Sequence, residues 1–178
     1  DMGGTSTDVA LIESIYPYVS EHTVGDAHLL SPAFEIHTEA AGGGSICRVE
    51  QGHMLVGPES AGSWPGPSCY GAGGPLSLTD MNLLLGRLLP DLFEIPISQG
   101  QAQRAAEKEL SKMTDEKVGL YELLEGFISL ANQKMANAIR QISVQQGYNP
   151  AEYAMVSFGG AGSQHACGVA DQLGITRI

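Results

Sequence analysis

The 178-residue sequence is poor in basic residues, in cysteine and in long apolar runs. Lys and Arg number 9 against 20 Asp and Glu, a formal net charge of -11. Binding to a nucleic-acid backbone needs a basic face, so that partner class is excluded. Charged residues make up only 16%, below the roughly 25% of ordinary soluble domains, which excludes a charge-rich disordered tail. The three cysteines, Cys47, Cys69 and Cys167, include no C-x-x-C pair. An odd, scattered set supplies neither a disulfide framework nor a structural zinc site, and it fits a reducing, cytoplasmic setting. No apolar run reaches the ~18 residues of a membrane span, and no basic-then-apolar leader is seen, so no membrane association is expected.

What the sequence has in excess is glycine: 23 residues, about 13% against a usual ~7%. They follow no collagen period, so they must serve turns or close backbone approach. The length suits a single domain, 1–178, with one sizeable core. The chain opens at Asp1 without an initiator and ends on Gly174-Ile175-Thr176-Arg177-Ile178, the start of a strand. It is expected to be a piece of a longer protein.

The coarse pattern is α/β. After a glycine turn, Val9-Ala10-Leu11-Ile12 reads as a strand, and Phe34 to Thr38 alternates as a half-buried one. Ser45–Val49 and Met54–Val56 flank Glu50-Gln51-Gly52-His53 as a hairpin. Residues 57–79 carry four prolines, six glycines and one charge, Glu59. With Trp64 and Tyr70 aboard, this is expected to be an ordered loop packed near a site. Thr79-Asp80 can cap a helix through Leu88, stopped by Pro90, and Gln101–Met113 is a second helix. Apolar residues at 120, 123, 124, 127, 128, 131, 135, 138, 139 and 142 mark one long amphipathic helix ended by Gly147 and Pro150. Tyr153–Phe158 reads as a short buried strand, followed by Gly159-Gly160-Ala161-Gly162 and a helix from Ser163 to Leu173.

Two glycine turns could carry chemistry. In Asp1-Met2-Gly3-Gly4-Thr5-Ser6-Thr7-Asp8 the glycines admit a ligand to the backbone, and successive N–H groups can form an anion nest. Two carboxylates bracket the turn, and hard oxygen ligands suit Mg²⁺ held with phosphate and water. An acidic protein can bind a polyphosphate by these means. The same residues also suit a tight hairpin with capping Asp and Thr, and spacing alone does not separate the two. In Val156 to Ser163 a strand delivers a glycine turn to a helix N-terminus, a geometry that favours phosphate or a nucleotide. Plain strand-to-helix packing is the alternative, since the motif is neither a Walker loop nor G-x-G-x-x-G. His165 and Cys167 lie two apart and do not face each other on a helix. Cys167 is expected to be a buried thiol, and Cys69 a small packed one, with a nucleophile as its alternative. His22, His28, His37 and His53 show no ligand spacing, and Arg140 is expected on a solvated helix face, with contact to a nucleotide as the alternative.

DMGGTSTDVALI, AGGGSI, VGPESAGSWPGPSCYGAGGPLSLTDMNLLLGRLLPD and SFGGAGSQHACGVADQLGI, in that order, resemble the hydantoinase A/5-oxoprolinase family over nearly the whole chain. The PGPSCYGAGGPLSLTD and GGAGSQHAC variants look most like its 5-oxoprolinase branch. The resemblance implies one half of an actin-like ATPase fold, ribonuclease H-like, with a mixed β-sheet, flanking helices and a long glycine-rich loop. It implies that residues 1–8 are the second phosphate loop and 158–162 the adenosine-side loop, the first phosphate loop lying outside this chain. It further implies ATP and Mg²⁺, and opening of a cyclic amide, 5-oxoproline or a hydantoin, by phosphorylation of the amide oxygen. Gly3, Gly4, Thr5, Ser6 and Thr7 would cradle phosphate, with Gly159, Gly160, Ala161 and Gly162 at the nucleoside. Asp1 and Asp8 would hold metal through water or orient a nucleophile. A hydantoinase B-like subunit or fused half, and an oligomeric assembly, are implied partners. A related ATP-dependent ketone carboxylase, or a non-catalytic actin-like or sugar-kinase-like domain, are the competing readings. With half a nucleotide cleft, the isolated segment is expected to show no appreciable ATPase or 5-oxoprolinase activity.

Overall fold

In the computed structural model, which describes residues 1–14, 16–115 and 117–178, eight short strands precede four helices. The strands are β1 (Thr7–Val9), β2 (Tyr18–Val19), β3 (His22–Val24), β4 (Ala27–Leu29), β5 (Ala33–Phe34), β6 (His37–Glu39), β7 (Ser45–Glu50) and β8 (His53–Ser60). The helices are α1 (Leu78–Leu84), α2 (Gln99–Leu110), α3 (Leu120–Ile142) and α4 (Gly162–Leu173).

The best-formed pair is β7–β8. Gln51 and Gly52 both take positive φ, 51° and 79°, the two-residue turn whose twist matches that of flanking strands. It sets the register Glu50↔His53 through Cys47↔Val56. Ser45, Cys47 and Val49 then point inward at every second position. The other pairs are β1–β6, β2–β5 and β3–β4, all antiparallel and two-stranded. The α/β content therefore stands, but the mixed sheet does not: among the described residues no parallel ladder forms. The expected strand at 9–12 lies earlier, at Thr7–Val9, and the one at 34–38 is divided between β5 and β6.

Residues 153–158 are neither a regular strand nor buried. Met155 N–H donates to Arg177 O at 2.9 Å and Phe158 O accepts from Met2 N–H at 3.1 Å. Single bonds on either side leave Val156 81% and Phe158 58% exposed. The apolar run signalled burial on both faces, but only one is covered: Tyr153, Met155 and Ser157 are half-buried, with Met155 packed against the core, while Val156 and Phe158 face outward. Residues 174–178 likewise form no strand.

Helix α3 is unbroken past Ala131. Leu123, Leu124, Phe127, Ile128, Ala131 and Met135 are buried along one face, the steps of three and four that the sequence predicts. That face packs on α4, α1, β8 and β6. The helix stops at Ile142, where the Ser143 hydroxyl donates back to Ile139 O. Among the described residues no helix is long and apolar enough to cross a membrane.

Between β8 and α1 the chain is held by one carboxylate. Asp80 is fully buried. It accepts from Ser68 N (3.1 Å), Cys69 N (2.7 Å), Ser77 N (2.8 Å) and Ser77 Oγ (3.0 Å). The α1 cap is thus Ser77 in a capping box with Asp80 three residues on, not Thr79, because Ser77 can exchange bonds with the third helical residue. The helix also ends at Leu84 rather than Leu88. Of the loop's aromatics, Tyr70 is half-buried beside Phe93 while Trp64 is 81% exposed. Replacing Asp80 by Asn leaves amides of this loop without an acceptor. We expect Asp80→Asn to lower stability by about 3 kcal/mol in urea unfolding, with faster hydrogen exchange at Ser68 and Cys69.

Candidate functional site

Residues 1–8 form a tight hairpin. Gly3 N–H donates to Ser6 O at 3.0 Å and Asp8 N–H to Asp1 O at 2.8 Å, with Met2 bridged to Thr7. Residues 41–44 lie beneath it. Gly43 N–H reaches Gly3 O at 3.0 Å, Gly44 N–H reaches Gly4 O at 2.6 Å, and the Thr7 hydroxyl reaches Ala41 O at 2.5 Å. A Cβ on Gly42 would stand 2.6 Å from the Thr5 backbone, so this approach requires glycine. Gly3 and Gly4 are different. A Cβ on either would meet nothing within 4 Å. The N–H groups of Gly4, Thr5 and Ser6 find no partner among the described residues. Free, successive donors with open space before them are the features an anion nest requires.

The second turn abuts the first. The Met2 backbone takes both ends of it: Met2 N–H donates to Phe158 O, and Met2 O accepts from Ala161 N–H at 3.0 Å. Gly159 has φ of 90°, and a Cβ there would collide with the Asp1 carboxylate and the Met2 carbonyl. Gly160 is open. Ala161 is the residue before α4, whose first turn has no side-chain cap; Gln164 N–H donates to Ala161 O, so the N–H groups of Gly162 and Ser163 add to the donor set. The hairpin thus coexists with the nest, and neither of the two readings of residues 1–8 excludes the other.

The structure therefore brings together Asp1, Gly3, Gly4, Thr5 and Ser6 with Gly159, Gly160, Ala161 and Gly162. The Thr7 side chain is buried and its hydroxyl committed to Ala41, so that hydroxyl secures the hairpin. Asp8 is half-buried and accepts the Thr38 hydroxyl at 2.6 Å. Among the described residues no group of three or more His, Cys, Asp and Glu is placed to hold a metal.

Beside this site, a cleft of about 490 Å³ opens between α3 and α4, lined by Arg87, Glu125, Ser129, Asn132, Ser163 and Cys167 among others. Cys167 is exposed there, against expectation. It sits two residues from His165, and that spacing turns it to the opposite side of α4. Cys47 and Cys69 are buried, with thiol pKa values pushed up by burial and then by Asp80. Arg140 is half-buried rather than fully solvated: it donates to Gln172 O at 2.7 Å, near the end of α4.

Sequence reasoning missed the polar core under the cleft. His165 is 2% exposed. Its Nδ1 lies 2.8 Å from Asn132 Oδ1 and its Nε2 lies 3.1 Å from Asn82 Nδ2. The network assigns the proton to Nδ1, donating to Asn132, while Nε2 accepts from Asn82. Burial, and then Arg87, lower the imidazole pKa to about 4. The available signal was Asn82 and Asn132 interrupting apolar helix faces.

An α/β fold built around two clasped glycine turns is the class these features define. The chain belongs to the hydantoinase/oxoprolinase family, whose model matches residues 1–178. It is 42% identical to the 5-oxoprolinase PfmaA of Pestalotiopsis fici and 40% identical to the 5-oxoprolinase of Saccharomyces cerevisiae, covering 100% of this chain in each case. It spans 15% of the length of each of those relatives. Among solved structures, an acetone carboxylase of ATP-dependent acetone carboxylation, in nucleotide-free form, superposes with TM-score 0.85 at 27% identity, over 98% of this chain and 25% of that one. The ATP-dependent caprolactamase of Pseudomonas jessenii superposes with TM-score 0.84 at 31% identity, over 98% and 26%.

A histidine held neutral in the folded state costs stability as acid protonates the unfolded chain. The folded pKa lies below the ordinary 6.5, so this contribution is whole above pH 6.5 and lost as pH falls toward 4. The loss should reach about 3 kcal/mol. Urea unfolding between pH 7 and pH 4, compared with His165→Gln, checks it. An equal acid loss in the variant would show that His165 is charged when folded.

Proposed function

We infer that residues 1–178 are the nucleotide-binding part of an ATP-dependent enzyme that opens a cyclic amide, 5-oxoproline or a hydantoin. The observation that carries this is the clasp at Met2, which sets free N–H groups of two glycine turns side by side. The Gly4, Thr5 and Ser6 amides would face phosphate. Gly159–Gly162 and the first turn of α4 would face the nucleoside, whose base the α3–α4 cleft has room to admit. Backbone donors of this kind bind a polyanion despite the net charge of -11. Such an arrangement suits half of an actin-like ATPase, the other phosphate loop lying elsewhere in a longer protein.

The open space at Gly3 and Gly4 fits a phosphate group, because no side chain intrudes. Asp1, exposed beside Gly159, and Asp8, steadied by Thr38, would hold Mg²⁺ through water. When bound, that ion neutralises phosphate charge. In the reaction the amide oxygen would take the terminal phosphoryl group of ATP as ADP leaves, and water adding at the ring carbon would open the C–N bond and release phosphate. The names of the relatives favour a cyclic amide: sequences called 5-oxoprolinase stand near 40% identity. The acetone carboxylase superposition supports a second reading, carbonyl activation in a ketone carboxylase, at lower identity. A relative named caprolactamase subunit alpha supports a partner subunit, in the manner of a hydantoinase B-like half. A cytoplasmic, oligomeric enzyme completes this reading.

Gly4 has no positive φ and open space at its Cβ. In the full-length protein Gly4→Val should therefore change stability by less than about 1 kcal/mol while filling the nest. ATP turnover should be lost and the melting temperature nearly kept. Wild-type turnover in that variant would refute the phosphate assignment. The isolated segment, with one phosphate loop of two, is expected to give no turnover and only weak heats on calorimetric titration with Mg-ATP.

A further inference from the structure

The two glycine turns meet at one residue. Both hydrogen bonds between them belong to the Met2 backbone, so by themselves they form a pivot, and the angle between the turns needs a second attachment away from it. Helix α1 supplies one. Thr79 and Asn82 are three apart and share a face of α1. Thr79 Oγ1 donates to Gly43 O at 2.9 Å, and Gly43 N–H in turn holds Gly3 O at 3.0 Å. Asn82 Nδ2 reaches His165 Nε2 at 3.1 Å, on the first turns of α4 just past Gly159–Gly162. One short helix thus grips both turns from behind, and Asp80, between the two contacts, is pinned by four donors of its own.

Stability alone does not account for Asn82. It is fully buried, and its Oδ1 has no partner among the described residues. A buried orphan acceptor is costly, and apolar replacement of both members of such a pair is often near neutral. What the amide does secure is the rotation of His165, and through it the placement of α4.

We propose that α1 is a strut fixing the separation of the two turns, with Thr79 and Asn82 as positioning residues that let one nucleotide engage both at once. This rests on the nucleotide reading above. Its consequence follows from linked binding: a ligand that spans two subsites gains an effective concentration only if their spacing matches its own length. Disturbing the strut should weaken ATP, which spans both turns, and leave adenosine and pyrophosphate, which occupy one each.

The test uses the full-length protein, with calorimetric affinities for Mg-ATP, adenosine and Mg-pyrophosphate in wild type, Asn82→Ala and Thr79→Val. Thr79→Val is the milder variant, since the Thr79 N–H still donates to Gly43 O at 2.8 Å; it serves if Asn82→Ala does not fold. The expected result is a loss of at least about tenfold in ATP affinity, with the two fragments bound within about twofold of wild type. Equal weakening of all three ligands, or of none, would overturn the strut. Wild-type protein that binds none of them would instead overturn the nucleotide reading itself.

Discussion

The Asp80 carboxylate is the constraint on which the site's scaffolding depends. It lies in the interior and meets four donors, three of them backbone N–H groups from a loop with little apolar side chain to bury. Burial raises its pKa, while the hydrogen bonds from Cys69 and Ser77 oppose that shift. The result is a fixed start for α1. From that start Thr79 reaches the turn at Gly43 beneath the hairpin, and Asn82 reaches the helix behind the second turn. Long helix α3 packs on α1 and α4 together, and its Asn132 orients the histidine that joins them.

The glycines divide by what a side chain would meet. At Gly42 and Gly159 a Cβ would strike neighbouring backbone, so these residues permit one turn to lie on another. At Gly3, Gly4 and Gly160 it would meet open space. The first group is a packing requirement. In the second no neighbour within the domain demands glycine, which is the physical basis for reading them as facing a ligand. An excess of glycine in the composition mixes both kinds.

The same division bears on the chemistry. Backbone donors can take a polyphosphate without a basic surface, which reconciles an acidic chain with relatives that include ATP-dependent enzymes. Thiol chemistry finds no support at Cys47 and Cys69, where burial and Asp80 hold the thiols protonated. His165 is held neutral between two amides as a structural element. The chain spans 15% of the length of the 5-oxoprolinases it matches.

Local rules were legible in the residues alone. The Gln51-Gly52 turn, the apolar stripe of α3 and the glycine turn leading into α4 each follow from short-range geometry, in which neighbours in sequence are neighbours in space. The family motifs were legible for the same reason, being contiguous strings. Three things required the folded chain. The run 153–158 is apolar yet covered on one face only, since burial depends on which layer arrives beside it. Thr7 turned inward to Ala41, since β1 pairs with β6 and so brings that carbonyl within reach. Asn82, Asn132 and His165 came together from three helices across 83 residues of sequence. No local signal encodes such a meeting, because a hydrogen bond between distant residues exists only once packing has set the helices in place.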